Sequence, residues 1–152
     1  FLQKEEFARG IKEGRFLEWA RVHGEYYGTD SLQIKKLLAE SKDVLLDIDV
    51  QGARQVRCVF PLAHTIFILP PSMDVLRERL QKRGTESGDK VAGRLAAAQE
   101  EIPEAAWYDF IIVNDDLQEA VEDLNAILRA CRCRTTFQAS RLRPFLHPAP
   151  TD

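Results

Sequence analysis

The run Val44-Leu45-Leu46-Asp47-Ile48-Asp49 is apolar at successive positions until two carboxylates appear at its end. A strand with one face in water alternates apolar and polar side chains, whereas one that is apolar on both faces belongs in a parallel sheet covered by helices. The segment therefore predicts a buried parallel strand and directs the chain toward an α/β fold. Ligands of such sheets bind at the carboxyl edge of the strands, where Asp47 and Asp49 emerge.

Periodicity along the rest of the chain fits alternating helices and strands with short connections. Residues 3–13 predict a short helix with Phe7 and Ile11 on one face and Gly14 as its stop. Residues 16–29 alternate like an extended segment, bent at Gly24 and Gly28. Asp30 or Ser31 can cap a helix running to about residue 40. After the 44–49 strand come a helix over residues 51–59 and a second buried strand over 65–69, ended by Pro70-Pro71. Ser72 caps a helix whose inner stripe is Val75, Leu76 and Leu80, with Arg79 and Arg83 pointing elsewhere. Residues 84–90 are polar and short of apolar anchors, which predicts mobility. A helix resumes at Val91, followed by a strand over 110–113 and a helix over 117–131. Residues 135–152 hold three prolines and little periodicity, so they read as a loose tail.

Composition narrows the functional classes. With 152 residues, 45% of them hydrophobic, the chain supports a packed core. Charged residues of both signs are interspersed and the formal net charge is -3, so there is no basic stripe for a nucleic-acid polymer. No apolar run approaches the roughly 18 residues that span a bilayer, and no secretory start is visible. A cytoplasmic protein without a membrane partner is expected. Cys58, Cys131 and Cys133 are too few for a disulfide framework. No cysteine or histidine cluster has metal-ligand spacing, and no side-chain metal site is expected. His23, His64 and His147 lack the partners of a nucleophile-base pair.

Five blocks carry a more specific signal: FLEWARVHGEYYGT, VLLDIDVQGARQV, IFILPPS, RLQKRGTESGDKVAGRL and YDFIIVNDDL, in that order. Together they resemble the guanylate kinase family. The resemblance implies a nucleoside-monophosphate-kinase fold, a parallel sheet with flanking helices, over residues 1–134. Residues 1–34 would form the GMP-binding subdomain and 84–94 the lid, with 135–152 as the tail. It also implies Mg²⁺-dependent transfer of the ATP γ-phosphoryl group to GMP, so GMP and ATP are the expected small-molecule partners; oligomeric state is left open.

Within that family pattern, Glu18 matches the residue that selects guanine. Guanine presents N1-H and N2-H side by side, and a carboxylate has two oxygens to meet them, whereas adenine turns an acceptor toward the same place. Tyr27, Gly28 and Thr29 match positions around the nucleotide: a phenol for the phosphate, close backbone approach to the base, and a hydroxyl for a polar guanine atom. Asp49 matches a residue facing the nucleotide through water, Mg²⁺ or the base; as plain sequence it could equally cap the next helix. Arg79, Arg83 and Arg94 match the lid arginines, with Arg79 and Arg83 on the ATP side and Arg83 and Arg94 in the catalytic role of stabilising the charge that spreads during phosphoryl transfer. Asn114 matches a residue near the adenine of ATP, with helix capping as its other reading.

The chain departs from the pattern in one large respect. The G-x-x-x-x-G-K-[ST] loop that cradles ATP phosphates does not occur in it, nor does the following segment with arginines and a tyrosine that grip the GMP phosphate. Together with a first residue, Phe1, set just before a helical pattern, this leads to the expectation of an N-terminally truncated chain lacking the first βα unit and inactive by itself. Gly88 and Lys90 also depart from the family's lid pattern. The alternative reading is a non-catalytic guanylate-kinase-like module that binds a peptide.

Overall fold

A computed structural model describes residues 2–22, 24–82 and 88–146. The chain divides into two units, residues 1–65 and 66–152.

The first unit opens with helix α1 (Lys4–Lys12), whose Glu5 and Glu6 lie in its first turn and Lys12 in its last, the arrangement that suits the helix dipole. Gly14 adopts φ +65°, as the stop after the helix requires. Strands β1 (Phe16–Val22) and β2 (Glu25–Asp30) then pair as an antiparallel hairpin, with Gly24 at φ +90° in the connection. Gly28 does not bend the chain as expected. It pairs with Trp19 in the ladder, and an added Cβ there would come within 2.9 Å of the Glu18 carbonyl oxygen, so close strand approach is what selects glycine.

The register of the hairpin slips between Phe16 and Glu18. Leu17 and Glu18 are consequently both buried, although successive residues of a regular strand face opposite ways. Leu17 enters the core with Ile34 and Val56, while Glu18 turns into the site described below. Asp30 caps helix α2 (Ser31–Ala39) by accepting from the amides of Leu32 at 2.9 Å and Gln33 at 3.3 Å. Asp49 caps helix α3 (Val50–Val59) through the amide of Gly52 at 2.8 Å.

Residues 44–49 form no ladder, which corrects the expectation of a central strand. Nor is the segment buried on both faces, as expected: Val44, Leu46 and Ile48 pack on the Leu17, Ile34 and Val56 cluster, while Leu45 is 65% exposed. A strand exists only with a neighbouring backbone, and among the described residues none pairs with this segment.

The second unit contains a parallel pair, β3 (Ile66–Leu69) and β4 (Phe110–Val113), in register Ile66 to Phe110 through Leu69 to Val113. Parallel neighbours need a crossover, here α4 (Met73–Lys82) and α5 (Gly88–Glu101) with a 3₁₀ turn (Ile102–Trp107). Ser72 caps the first turn of α4 by accepting from the Val75 amide at 3.2 Å. Helix α5 starts at Gly88 rather than Val91, with Asp89 in its first turn where a carboxylate favours a helix start. Val91, Ala105, Ile112 and Ala120 are the buried apolar residues of the second unit, and Tyr108 stacks on Trp107 and meets Phe67 edge-on.

Asp116 caps helix α6 (Leu117–Arg132) through the amides of Gln118 and Glu119. Beyond residue 134 the expectation of irregular chain is corrected, because residues 135–146 form helix α7 (Thr135–Leu146). Its hydrogen bonds are local and need no core, and none of its residues is buried. Among the described residues no helix is long and apolar enough to cross a membrane, and no group of three or more His, Cys, Asp or Glu side chains could hold a metal ion.

Candidate functional site

The first unit holds a cavity of about 550 Å³ lined by Glu18, Ala20, Val22, Tyr27, Gly28, Thr29, Asp47, Ile48 and Asp49. Three carboxylates and no basic side chain are among these residues, with apolar walls from Ala20, Val22 and Ile48. Such a lining suits a flat ligand whose edge presents hydrogen-bond donors.

Glu18 is the most confined of the acids, at 4% exposure. Thr29 stands opposite it in the hairpin and donates its hydroxyl to Glu18 Oε1 at 2.6 Å. The other oxygen, Oε2, lies against the first turn of α3, where a Cβ on Gly52 would come within 2.6 Å of it. One helical turn further on, Gln55 reaches the backbone of β1: its Oε1 accepts from the Trp19 amide at 3.2 Å and its Nε2 donates to the Trp19 carbonyl at 2.7 Å. A side chain thus supplies the rung that a third strand would make beside Glu18.

Asp49 caps the helix and also stands at the cavity wall. Its Oδ1 caps α3 and its Oδ2 accepts from Gln51 Nε2 at 3.3 Å, and the residue still lines the cavity. Tyr27 is 60% exposed at the cavity wall, whereas Tyr26 packs on the Phe7 ring with centroids 5.3 Å apart. All five residues expected around GMP, Glu18, Tyr27, Gly28, Thr29 and Asp49, therefore line one cavity.

In the second unit, Arg79 on α4 donates through Nη1 to the Asn114 carbonyl at 2.5 Å and through Nη2 to the Asp115 carbonyl at 2.8 Å. The Asn114 amide continues the β3 ladder by donating to the Leu69 carbonyl at 2.8 Å. Because Asp116 caps α6, capping does not occupy Asn114. Arg94 lies within α5. Arg83, and residues 84–87 of the expected lid, lie outside the described residues. Burial pushes the Cys131 thiol up from its ordinary pKa, and Cys58, Cys131 and Cys133 are all free of disulfides.

The guanylate kinase family pattern matches residues 1–131. The chain belongs to the guanylate kinase family. It is 51% identical over 142 residues to a guanylate kinase of Symbiobacterium thermophilum, covering 93% of this chain and 67% of that relative. It is 47% identical over 130 residues to one of Carboxydothermus hydrogenoformans, covering 86% of this chain and 64% of the other. Among solved structures it resembles guanylate kinase from Anaplasma phagocytophilum with a TM-score of 0.75 at 32% identity, over 93% of this chain and 73% of that one. The chain thus spans about two thirds of the length of these curated relatives.

Membership in this phosphotransferase family agrees with the α/β class expected from the sequence, and it implies GMP and ATP as the substrates and usually Mg²⁺. Sequence reasoning passed over Gly52 and Gln55, although both stand in the VLLDIDVQGARQV block. A signal was present: glycine in the first turns of a helix is the poorest choice short of proline, so its use there asks for a steric reason.

Proposed function

We propose that the complete gene product transfers the γ-phosphoryl group of ATP to GMP, giving GDP and ADP. The observation that carries this reading is the buried Glu18 carboxylate, bonded to Thr29 within a cavity of acids and apolar walls. Glu18 accepts from guanine N1-H and N2-H, Thr29 supplies a hydroxyl to a polar guanine atom, and Gly28 leaves room for the base. Tyr27 donates to the phosphate of GMP, and Asp49 faces the nucleotide through its free lone pairs.

In the reaction a phosphate oxygen of GMP attacks the γ-phosphorus, a new P–O bond forms, and the bond to the β-phosphate oxygen breaks as ADP leaves. Charge spreads over the equatorial oxygens, and guanidinium groups are suited to it. Arg94 and Arg83 take that role, with Arg79 and Asn114 on the ATP side. Mg²⁺ would neutralise charge on the phosphates when bound, and Asp49 at the cavity wall is the carboxylate that would face it, directly or through water. The G-x-x-x-x-G-K-[ST] cradle for the donor phosphates is not among residues 1–152, and the assays use the full-length protein.

Steady-state rates with GMP and AMP test the assignment. Glu18→Ala is expected to lower the preference for GMP over AMP by about 10² or more, given that polar mismatch in a buried site supports discrimination of roughly 10⁴. An unchanged preference would sink the assignment. GMP binding without any turnover in the wild type would instead favour a binding module.

A further inference from the structure

We infer that Gly52 is a specificity-determining residue, acting through Glu18: the space left by its missing Cβ is where the guanine-reading carboxylate is held. This deepens the reading above and rests on it.

Two oxygens of Glu18 must be placed for two donors of guanine, and the structure fixes each differently. Oε1 is fixed by attraction, through the Thr29 hydroxyl at 2.6 Å. Oε2 is placed by accommodation: it occupies the position over Gly52 where any Cβ would approach to 2.6 Å, with the carboxyl carbon at 3.3 Å from that same point. Carbon and oxygen do not approach so closely, so a side chain at position 52 must displace something. The helix backbone cannot yield cheaply, because the Gly52 amide is bound by the Asp49 cap at 2.8 Å. Movement falls on the end of the Glu18 side chain, the group that reads the base. A shift on the order of 1 Å in a positioning group can cost about a hundredfold in rate.

Gln55 makes the arrangement rigid from the same helix. Its amide pairs with both backbone groups of Trp19, the neighbour of Glu18 in β1. The strand therefore cannot move away from α3 to relieve a crowded Gly52 without breaking this pair. Gly52 sets the space and Gln55 holds the strand against it.

The test uses the complete gene product, with initial rates for GMP, IMP and AMP at fixed ATP. IMP keeps N1-H but lacks the exocyclic amine, so the GMP:IMP ratio of kcat/KM reads the second of the two Glu18 contacts. Gly52→Ala is expected to lower that ratio about tenfold and kcat/KM for GMP by about 10–100-fold. The KM for ATP should not change, and thermal stability should fall modestly, because the added methyl crowds the buried Glu18 carboxyl group and the Ile48 Cβ, 3.3 Å away, by more than the helix preference of alanine returns. In a Glu18→Ala background the same substitution should change the ratio no further, since its effect passes through Glu18. General damage would lower stability and leave the ratio alone.

An unchanged GMP:IMP ratio in a folded Gly52→Ala variant overturns the inference. Should that variant not fold, Gln55→Leu takes its place, with the same fall in the ratio expected and the same overturning result. Loss of guanine preference in Glu18→Ala with the ratio intact in Gly52→Ala sinks only this inference; a Glu18→Ala enzyme that still prefers guanine sinks the functional reading beneath it.

Discussion

The two units solve opposite problems with their charged residues. In the first, Glu18 is 4% exposed and met from two elements, by Thr29 across the hairpin and by the bare first turn of α3. In the second, α4 has no buried residue and α5 has one, Val91, and the guanidinium of Arg79 binds the carbonyls of a turn rather than an acid. On the proposed function, a carboxylate that distinguishes two similar bases gains from being fixed before the ligand arrives, because discrimination rests on the cost of a mismatch that cannot relax. On the same reading, cations that stabilise transferring phosphate act most when charge develops, and they can ride on helices with little core beneath them. Substitutions in the first unit should therefore be felt in the choice and binding of GMP, and those in the second in turnover.

The largest expected effect tests the second half of that division. In the complete gene product Arg94→Ala should lower kcat on the order of 10²–10³, the usual cost of removing one electrostatic stabiliser, with KM for GMP within about threefold of wild type. A variant with normal kcat and a raised KM for GMP would break the division outright.

A smaller effect sharpens the first half. Thr29→Val keeps the shape of the side chain and removes the hydroxyl that bonds Glu18 at 2.6 Å. Hydrogen bonds to a charged group are worth roughly 1.5–3 kcal/mol, so KM for GMP should rise roughly ten- to a hundredfold with kcat changed less. Equal losses in kcat and kcat/KM would show that Thr29 acts in the transition state instead.

How far the sequence foretold these units differs in the same way. The strands β3 and β4 were legible because short apolar runs ended by Pro70-Pro71 and by Asn114-Asp115-Asp116 have few other uses. The helix caps at Asp30, Asp49 and Ser72 were legible because a short polar side chain before an apolar period has a local effect. Residues 44–49 misled because a strand is a relation between two backbones, and apolarity reports only that burial would be favourable. The segment packs one face on the core and gains no strand partner among the described residues. The slip that turns Leu17 and Glu18 inward together is likewise set by pairing with β2, and composition carries no trace of it. Tyr27, Thr29 and Glu18 were singled out through their order in a family pattern, and they line one cavity. Gly52 and Gln55 were not, because their roles lie in a distance to another element.

The smallest effect concerns how the hairpin end beside Thr29 is held. Arg15 Nε donates to Asp30 Oδ2 at 2.9 Å, and the amides of Leu32 and Gln33 donate to Oδ1. The Arg15 hydrogen bond first, and then the Gln33 and Leu32 amides, hold the Asp30 carboxyl below the usual aspartate range. A group whose pKa is lowered by folding binds its proton more readily in the unfolded chain. Its stabilisation is full above the ordinary value of about 3.9 and is lost as pH falls through the lower folded value. Asp30→Ala should therefore lower Tm by roughly 2–4 °C at neutral pH, where the cap and the ion pair are both present. The gap between wild type and variant should stay constant down to about pH 5 and narrow below about pH 4. It should also shrink in 1 M salt, since the pair is exposed to solvent. A gap that holds unchanged through pH 2 would mean that Asp30 acts by its shape alone, and the anchoring of β2 at its carboxyl end would then have to be assigned to the backbone bond from Ser31 to the Arg15 carbonyl.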